Sequence, residues 1–356
     1  VKMLFKQKQY KKFNKKSHGS FILGADLGGT NTNFGVFGIK NNNPELLLLF
    51  HFKSRELGSL HHAINETLDY IIRNYKIRIT KACIAGAGVV SPDRGSISIT
   101  KLDWNLTRKE LSRNTSLTKI IFINDFEAIG YGINMLRKAD VAVIKKARKI
   151  PEAASVVIGA GTGLGKTTLA YDIHYKSYVP IPSEAGHCDF PAQSKQEIEL
   201  VDFIKKHKKI KQNVSYEQIV SGIGLENIYL FLRKNGKINP TKSTKEADKA
   251  KNKPAVISKY RKIDETCRKA FEIFRDAYAK FAANCALDAL PYGGIYIAGG
   301  IAPKNKDIFD ANFVKKFEKC HERSDVLKRI PIYLIVNYNV GLLGAGFLGA
   351  RIFGKK

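Results

Sequence analysis

Twice along this chain a short apolar strand runs into a glycine-rich turn and emerges as a second strand, and that repetition restricts the fold more than any other feature. The first instance is Gly24-Ala25-Asp26-Leu27-Gly28-Gly29-Thr30-Asn31, entered from residues 21–23 and followed by strand-like runs at 34–39 and 46–52. The second is Gly159-Ala160-Gly161-Thr162-Gly163-Leu164-Gly165, entered from 156–158 and left by 168–171. Between and after them the apolar period changes. Leu60, Ile64, Leu68 and Ile71 predict a helix over Leu60–Tyr75. Further helices are predicted over 126–136, 197–206, 215–221, 225–233, about 265–290 and 341–353, and buried strands over 82–85, 120–123, 295–298 and 332–336. This alternation is that of an α/β fold. Its two matching strand-rich sections predict an internally duplicated mixed β-sheet domain flanked by helices, and 356 residues suffice for two lobes with separate cores.

Both turns suit phosphate. Small residues let backbone N–H groups approach phosphate oxygens, and Thr30 and Asn31 add side-chain donors beside Gly28 and Gly29. Asp26 lies just upstream, where a carboxylate can hold Mg²⁺ through water. Extending the second turn to Gly165-Lys166-Thr167 suggests a Walker A loop, but its first glycine position is Ala160. The dinucleotide pattern G-x-G-x-x-G fails too, because Leu164 stands where a glycine is required. Gly161, Thr162 and Gly163 remain as a second phosphate-facing hairpin. A third segment, Gly293-Gly294-Ile295-Tyr296-Ile297-Ala298-Gly299-Gly300, ends a strand in a glycine pair against which an adenine ring can pack.

Asn124 and Asp125 stand where a buried strand gives way to a helix, the end of a strand at which α/β proteins place ligands. An aspartate has an ordinary pKa of about 3.9, and a helix N-terminus lowers it further. Asp125 is therefore expected to be ionised, a weak base suited to orienting a hydroxyl; the alternative is a simple helix cap.

Charge and cysteines bound the remaining classes. Sixty Lys and Arg against 32 Asp and Glu leave a formal +28. The excess gathers in residues 2–16, 205–211 and 234–262, and the last block is loop-like, with ten Lys and Arg against Glu246 and Asp248. Such blocks attract polyanions, nucleic acid or polyphosphate, as weak patch binding. Aromatics do not interleave with them as in single-strand binders, so solvated surface is the simpler reading. Residues 1–20 carry seven lysines and no acid, and are expected to form a disordered tail. The five cysteines, Cys83, Cys188, Cys267, Cys285 and Cys320, are scattered and odd in number, as in a reduced cytoplasmic protein. No apolar run reaches the ~18 residues of a membrane span.

The order D-x-G-G-T-N (from Asp26), I-N-D-F-E-A (from Ile123), G-A-G-T-G-L-G (from Gly159), E-x-G-H (Glu184 to His187) and I-A-G-G-I (from Ile297) resembles the bacterial-type ATP-dependent glucokinase family, from about Phe21 to Phe353. The related repressor/kinase family fits less well, because its Cys-rich zinc motif after E-x-G-H is absent. The chain departs from the family pattern at Asn33, where arginine is common, at Ser183 and Ala185, which replace glycines, and at Ile223, where proline is usual.

The resemblance implies a two-lobed actin-like (ribonuclease H-like) ATPase fold. Its expected division is a small α/β domain at 21–136, completed by a C-terminal helix at about 340–356, and a large one at 137–339. It further implies Mg-ATP-dependent phosphoryl transfer to the 6-hydroxyl of glucose. Asp125 would be the general base; Asn124, Glu184, His187 and Glu217 would bind the sugar, with Asn105 a further pocket candidate. Gly28, Gly29, Thr30, Asn31, Gly161, Thr162, Gly163, Gly299 and Gly300 would hold ATP, and Asp26 the Mg²⁺. A homodimer is common in the family. The alternatives are a polyphosphate-using or broader hexose kinase, and a catalytically idle sugar sensor whose basic tail contacts nucleic acid.

Overall fold

The structure is a computed structural model that describes residues 5–13, 17–41, 43–99, 102–236, 238–319 and 322–354. The chain divides into two compact units. One comprises Val1–Ala139, Asp172–Pro180 and Asn337–Lys356; the other comprises Asp140–Tyr171 and Ile181–Val336.

In the first unit the strands β1 (Lys6–Gln9), β2 (Ser20–Leu27), β3 (Asn31–Lys40) and β4 (Asn43–Lys53) precede helix α1 (Leu60–Tyr75) and strand β5 (Lys81–Gly86). Three short strands follow, β6 (Val89–Val90), β7 (Ser96–Ile99) and β8 (Trp104–Thr107), then α2 (Arg108–Asn114), β9 (Lys119–Asn124) and α3 (Asp125–Gly132). The main sheet has the order β1-β4-β3-β2-β5-β9, and β6-β7-β8 form a separate small sheet. β2, β3 and β4 pair antiparallel, whereas β2, β5 and β9 run parallel. The helical period of α1 is realised, with Leu60, Ala63, Ile64, Leu68 and Ile71 buried.

The second unit repeats this plan. The strands β10 (Val141–Lys145), β11 (Ser155–Ala160), β12 (Leu164–Asp172), β13 (Ser177–Ser183), β14 (Gly294–Ala298) and β15 (Ile332–Ile335) follow the sheet order β10-β15-β14-β11-β12-β13, and of them only Asp172 and residues 177–180 are grouped with the first unit. β11 pairs antiparallel with β12 and parallel with β14, and β14 is parallel to β15. Its helices are α4 (Lys195–Lys208), α5 (Gly222–Lys234), α6 (Lys242–Lys249), α7 (Lys253–Tyr260), α8 (Glu265–Ala289), α9 (Ala311–Lys319) and α10 (Ser324–Leu327). The long α8 buries Ala270, Phe271, Phe274, Tyr278, Phe281 and Ala282 in the core of this unit. The duplicated mixed sheet flanked by helices is the actin-like plan expected from the sequence.

The last helix, α11 (Val340–Phe353), returns to the first unit. It is buried from Val340 to Ala350 because β2 lies on one side and α3 on another. Close approach requires its glycines. A Cβ at Gly344 would overlap the carbonyl oxygen of Ala128 and lie 2.7 Å from the backbone nitrogen of Gly132.

Three expectations change. Lys6–Gln9, within the tail expected to be disordered, pairs with β4 as an edge strand, held by backbone bonds that four exposed polar side chains do not advertise. Residues 1–4 and 14–16 of that tail lie outside the described residues. The helix expected over 215–221 is a single 3₁₀ turn, Tyr216–Gln218, because the Ser221 side chain caps the start of α5 instead. The basic segment 234–262, expected to be loop-like, contains α6 and α7. Thr241 and Thr244 form a capping box on α6, and both hydroxyls donate to the buried Asp264 carboxylate at 2.6 Å. Asp264 also accepts from the backbone N–H of Cys267, and these bonds hold its carboxyl below the ordinary aspartate range against the cost of burial. Cys83, Cys267 and Cys285 are buried free thiols and Cys188 is an exposed one; Cys320 lies outside the described residues. Among the described residues no helix is long and apolar enough to cross a membrane.

Candidate functional site

In the first unit the carboxyl ends of three parallel strands converge. Leu27 on β2 is opposite Gly86 on β5, and Gly86 is opposite Asn124 on β9. Asp26 and Asp125 therefore belong to one rim. Burial pushes the Asp26 carboxyl up to about 7, and the negative charge of Asp125 adds to the shift. The first turn of α11 is close by, since a Cβ at Gly341 would lie 3.0 Å from Oδ2 of Asp26.

The cap of α3 is Asn124. Its Oδ1 accepts from the backbone N–H of Phe126 at 2.8 Å and of Glu127 at 3.4 Å, and its Nδ2 donates to the carbonyl of Gly88 at 3.3 Å. Asp125 is thus the first helical residue, its Oδ1 also accepting from Phe126 N–H at 2.9 Å. A helix that already has an asparagine cap does not need the aspartate for that purpose. Asn105 lies on β8 opposite Ser98, whose carbonyl packs against Gly88. It lines a cleft of ≈ 230 Å³ with Ser59, His61, Trp104 and Glu110.

The turn between β2 and β3 is fastened from below. Gly28 N–H donates to the carbonyl of Asn31 at 2.9 Å, leaving no room for a side chain, since a Cβ at Gly28 would meet that oxygen at 2.9 Å. Ser54 donates through Oγ to the Gly28 carbonyl at 2.6 Å and through N–H to the Thr30 carbonyl at 2.9 Å. The carbonyls of Gly28, Thr30 and Asn31 are occupied in this way, and Thr30 and Asn31 are exposed.

In the second unit the two remaining glycine-rich segments are neighbours. A Cβ at Gly161 would lie 4.0 Å from the backbone nitrogen of Gly300, and Gly222 N–H donates to the Gly161 carbonyl at 2.8 Å. Gly299 has φ +88°, and a Cβ there would meet the carbonyl oxygen of Ala160 at 2.5 Å, so only glycine fits this position. Thr162 and Gly300 are exposed at the rim of this cluster. Lys166, which a Walker A reading would place on phosphate, is buried and donates to Asp288 at 2.9 Å.

Glu217 Oε2 accepts from the backbone N–H of Leu164 at 2.9 Å, tying the 3₁₀ turn to the hairpin. The turn Ala185–His187 packs on the same residue, because Gly186 lies directly against the Leu164 carbonyl. Tyr216 N–H donates to the Cys188 carbonyl at 2.9 Å, so Glu184, His187 and Glu217 are brought together. Glu184 and His187 are turned outward, with side chains 91% and 60% exposed and 3.8 Å apart. No group of three or more His, Cys, Asp or Glu that could hold a metal ion occurs among the described residues.

Sequence reasoning missed Arg94 and Glu127. Arg94 has φ +56°, its carbonyl accepts from Phe122 N–H at 3.0 Å, and its guanidinium grips Glu127 at 2.7 and 3.2 Å. Glu127 is buried in the first turn of α3, so this clamp joins β9 to the helix that carries Asp125. Glu127 was visible in the I-N-D-F-E-A run, but nothing near it in sequence marks Arg94. Arg94→Met should lower stability by about 2–3 kcal/mol, because it strands a buried carboxylate. Arg94→Met/Glu127→Met should lose markedly less, which urea melts of the two variants would check.

Comparison with known proteins agrees with these motifs. The glucokinase family model matches residues 23–351. A glucokinase from Nostoc sp. strain PCC 7120 is 35% identical over 94% of this chain and 100% of its own length. Among solved structures, the glucokinase of an Antarctic psychrotroph superposes with a TM-score of 0.76 at 26% identity, covering 93% of this chain and 99% of the other. A ROK-family glucokinase from Streptomyces griseus, solved with glucose and AMPPNP, shares the fold at a TM-score of 0.63 and 16% identity, covering 93% of this chain and all of the other. The match extends through nearly the whole chain and includes every glycine-rich turn described above: this protein belongs to the glucokinase family.

Proposed function

We propose that the chain transfers the γ-phosphoryl group of ATP to the 6-hydroxyl of glucose. The observation that carries this reading is the start of α3, where Asn124 caps the helix and Asp125 lies on the strand rim beside Asp26. In this reading Asp125 orients the 6-hydroxyl and accepts its proton as the oxygen attacks phosphorus in line. Glu184, His187 and Glu217 hold ring hydroxyls, a task suited to groups that each bond more than one of them. Asn124 and Asn105 complete the sugar contacts. Backbone N–H groups at Gly29 and Gly163, with Thr30, Asn31 and Thr162, receive the phosphates, Gly28 and Gly161 shape the two turns through their own internal bonds, and Gly299 and Gly300 receive the adenosine.

Asp26 and Asp125, close enough for the charge of Asp125 to raise the proton affinity of Asp26, form a donor set suited to a hard divalent cation. Asp26 is the residue that would hold Mg²⁺ through water. The ion would neutralise phosphate charge.

A coupled assay of hexose phosphate formation, with glucose, fructose and mannose against ATP, ADP and polyphosphate, tests the proposal. Glucose with ATP should be the productive pair, and no product from that pair would refute it. Glu184→Ala and His187→Ala should each weaken glucose binding by about 1–3 kcal/mol through unpaired hydroxyls. Turnover at saturation should change less, and unaltered glucose affinity in both would remove them from the sugar site.

A further inference from the structure

We infer that a basic cleft between α8 and α9, lined by no residue of the glycine-rich turns, is a binding site for inorganic oligophosphate. The cleft has a volume of ≈ 400 Å³ and is walled by Arg275 and Lys280 from α8 and by Asn312, Lys315, Lys316 and Lys319 at α9. Gln193 and Asp276 complete its lining. That size lies within the ordinary range of small-molecule sites.

Its base is built. Lys280 is 6% exposed and donates to Glu197 at 2.6 Å. The other oxygen of Glu197 accepts from the backbone N–H groups of Gln193 and Ser194 in the capping box that starts α4. Arg275 is held by Asp276 at 2.9 Å and Asp310 at 3.5 Å. These two cations are fixed in place and largely compensated. The other three are not: among the described residues no carboxylate lies within 4.0 Å of Lys315, Lys316 or Lys319. Phe313 and Phe317, fully buried on the opposite face of α9, keep that helix from turning its lysines elsewhere. Lys315 and Lys319 are four residues apart, an arrangement of like charges that destabilises a helix. Attraction to the negative end of α9 accounts for lysines in its last turn. It does not account for their meeting Arg275 and Lys280 across a cleft.

The chemistry of the lining selects the ligand class. Three uncompensated charges exceed what one phosphate neutralises, so the match is an anion with several linked phosphates. No aromatic side chain lines the cleft to stack a nucleobase, which favours the inorganic chain over a nucleotide.

Calorimetric titration of tripolyphosphate into the full chain, with the catalytic site filled by saturating glucose and AMPPNP, tests this. One tripolyphosphate should bind per chain, and orthophosphate should bind far more weakly. Lys315→Ser/Lys316→Ser/Lys319→Ser should weaken binding by about tenfold or more. A control, Lys206→Ser/Lys208→Ser/Lys211→Ser, removes the same charge from exposed positions elsewhere and should change it less than about twofold. Both triples should keep wild-type kcat and glucose KM, which excludes misfolding. Equal losses in the two triples would mean diffuse attraction to a basic protein. That result, the absence of saturable one-to-one binding, or an unchanged affinity in the cleft triple would each overturn the assignment.

Discussion

Asp125→Asn should lower kcat for glucose phosphorylation by about 10²–10⁴-fold, while KM for glucose stays within about threefold of wild type. The local structure makes the experiment clean. Asn124 supplies the cap of α3, so the helix start survives the substitution. An asparagine at 125 also keeps an oxygen for the Phe126 N–H, which Oδ1 of Asp125 now accepts at 2.9 Å. What is lost is the capacity to take a proton. Steady-state rates from a coupled assay, with glucose binding measured separately, would check it. Near-normal kcat with a raised KM would place the base elsewhere and leave Asp125 a binding residue.

The second large effect concerns stability. Gly344→Ala should destabilise the protein by about 3 kcal/mol even though alanine is the better helix former by roughly 1 kcal/mol. The added methyl would occupy the space of the Ala128 carbonyl, and both obstacles, Ala128 and the nitrogen of Gly132, are backbone of α3 that no rotamer change can move aside. α11 would have to retreat from α3, and with it from β2, whose far end carries Asp26. Gly58→Ala is the matched control, because nothing lies within 4 Å of a Cβ there. Thermal melts of the two variants should differ clearly, and a Gly344→Ala protein as stable as Gly58→Ala would refute the packing argument.

What could be read from the chain alone follows from how local the signal is. The helix Leu60–Tyr75 was legible because its apolar residues recur at helical spacing, and the hairpin turns because glycine is rare inside strands. Asn124 and Asp125 were legible because both lie at one strand-to-helix junction. The division of labour between them was not, since a cap is defined by the N–H groups it satisfies. α6 was hidden because its start is held by Asp264, about twenty residues downstream, accepting from two threonine hydroxyls. The anchoring of Glu217 on Leu164 joins positions 53 apart, and Arg94 reaches Glu127 from 33 away. Such long-range bonds leave no periodicity to detect.

The strand Lys6–Gln9 has a consequence for behaviour in concentrated solution. It ends the order of its sheet, so the side turned away from β4 is a margin to which a foreign strand could add. Its side chains alternate lysine and glutamine, and all four are exposed. Successive residues of a strand point to opposite faces, which places Lys6 and Lys8 on the same one. A second molecule laying its own margin alongside would set ammonium against ammonium, a repulsion that the four polar side chains of this strand do nothing to offset. Lysine at a sheet margin is a known deterrent to cross-chain zippering, so part of this protein's large positive charge acts here as a guard against aggregation.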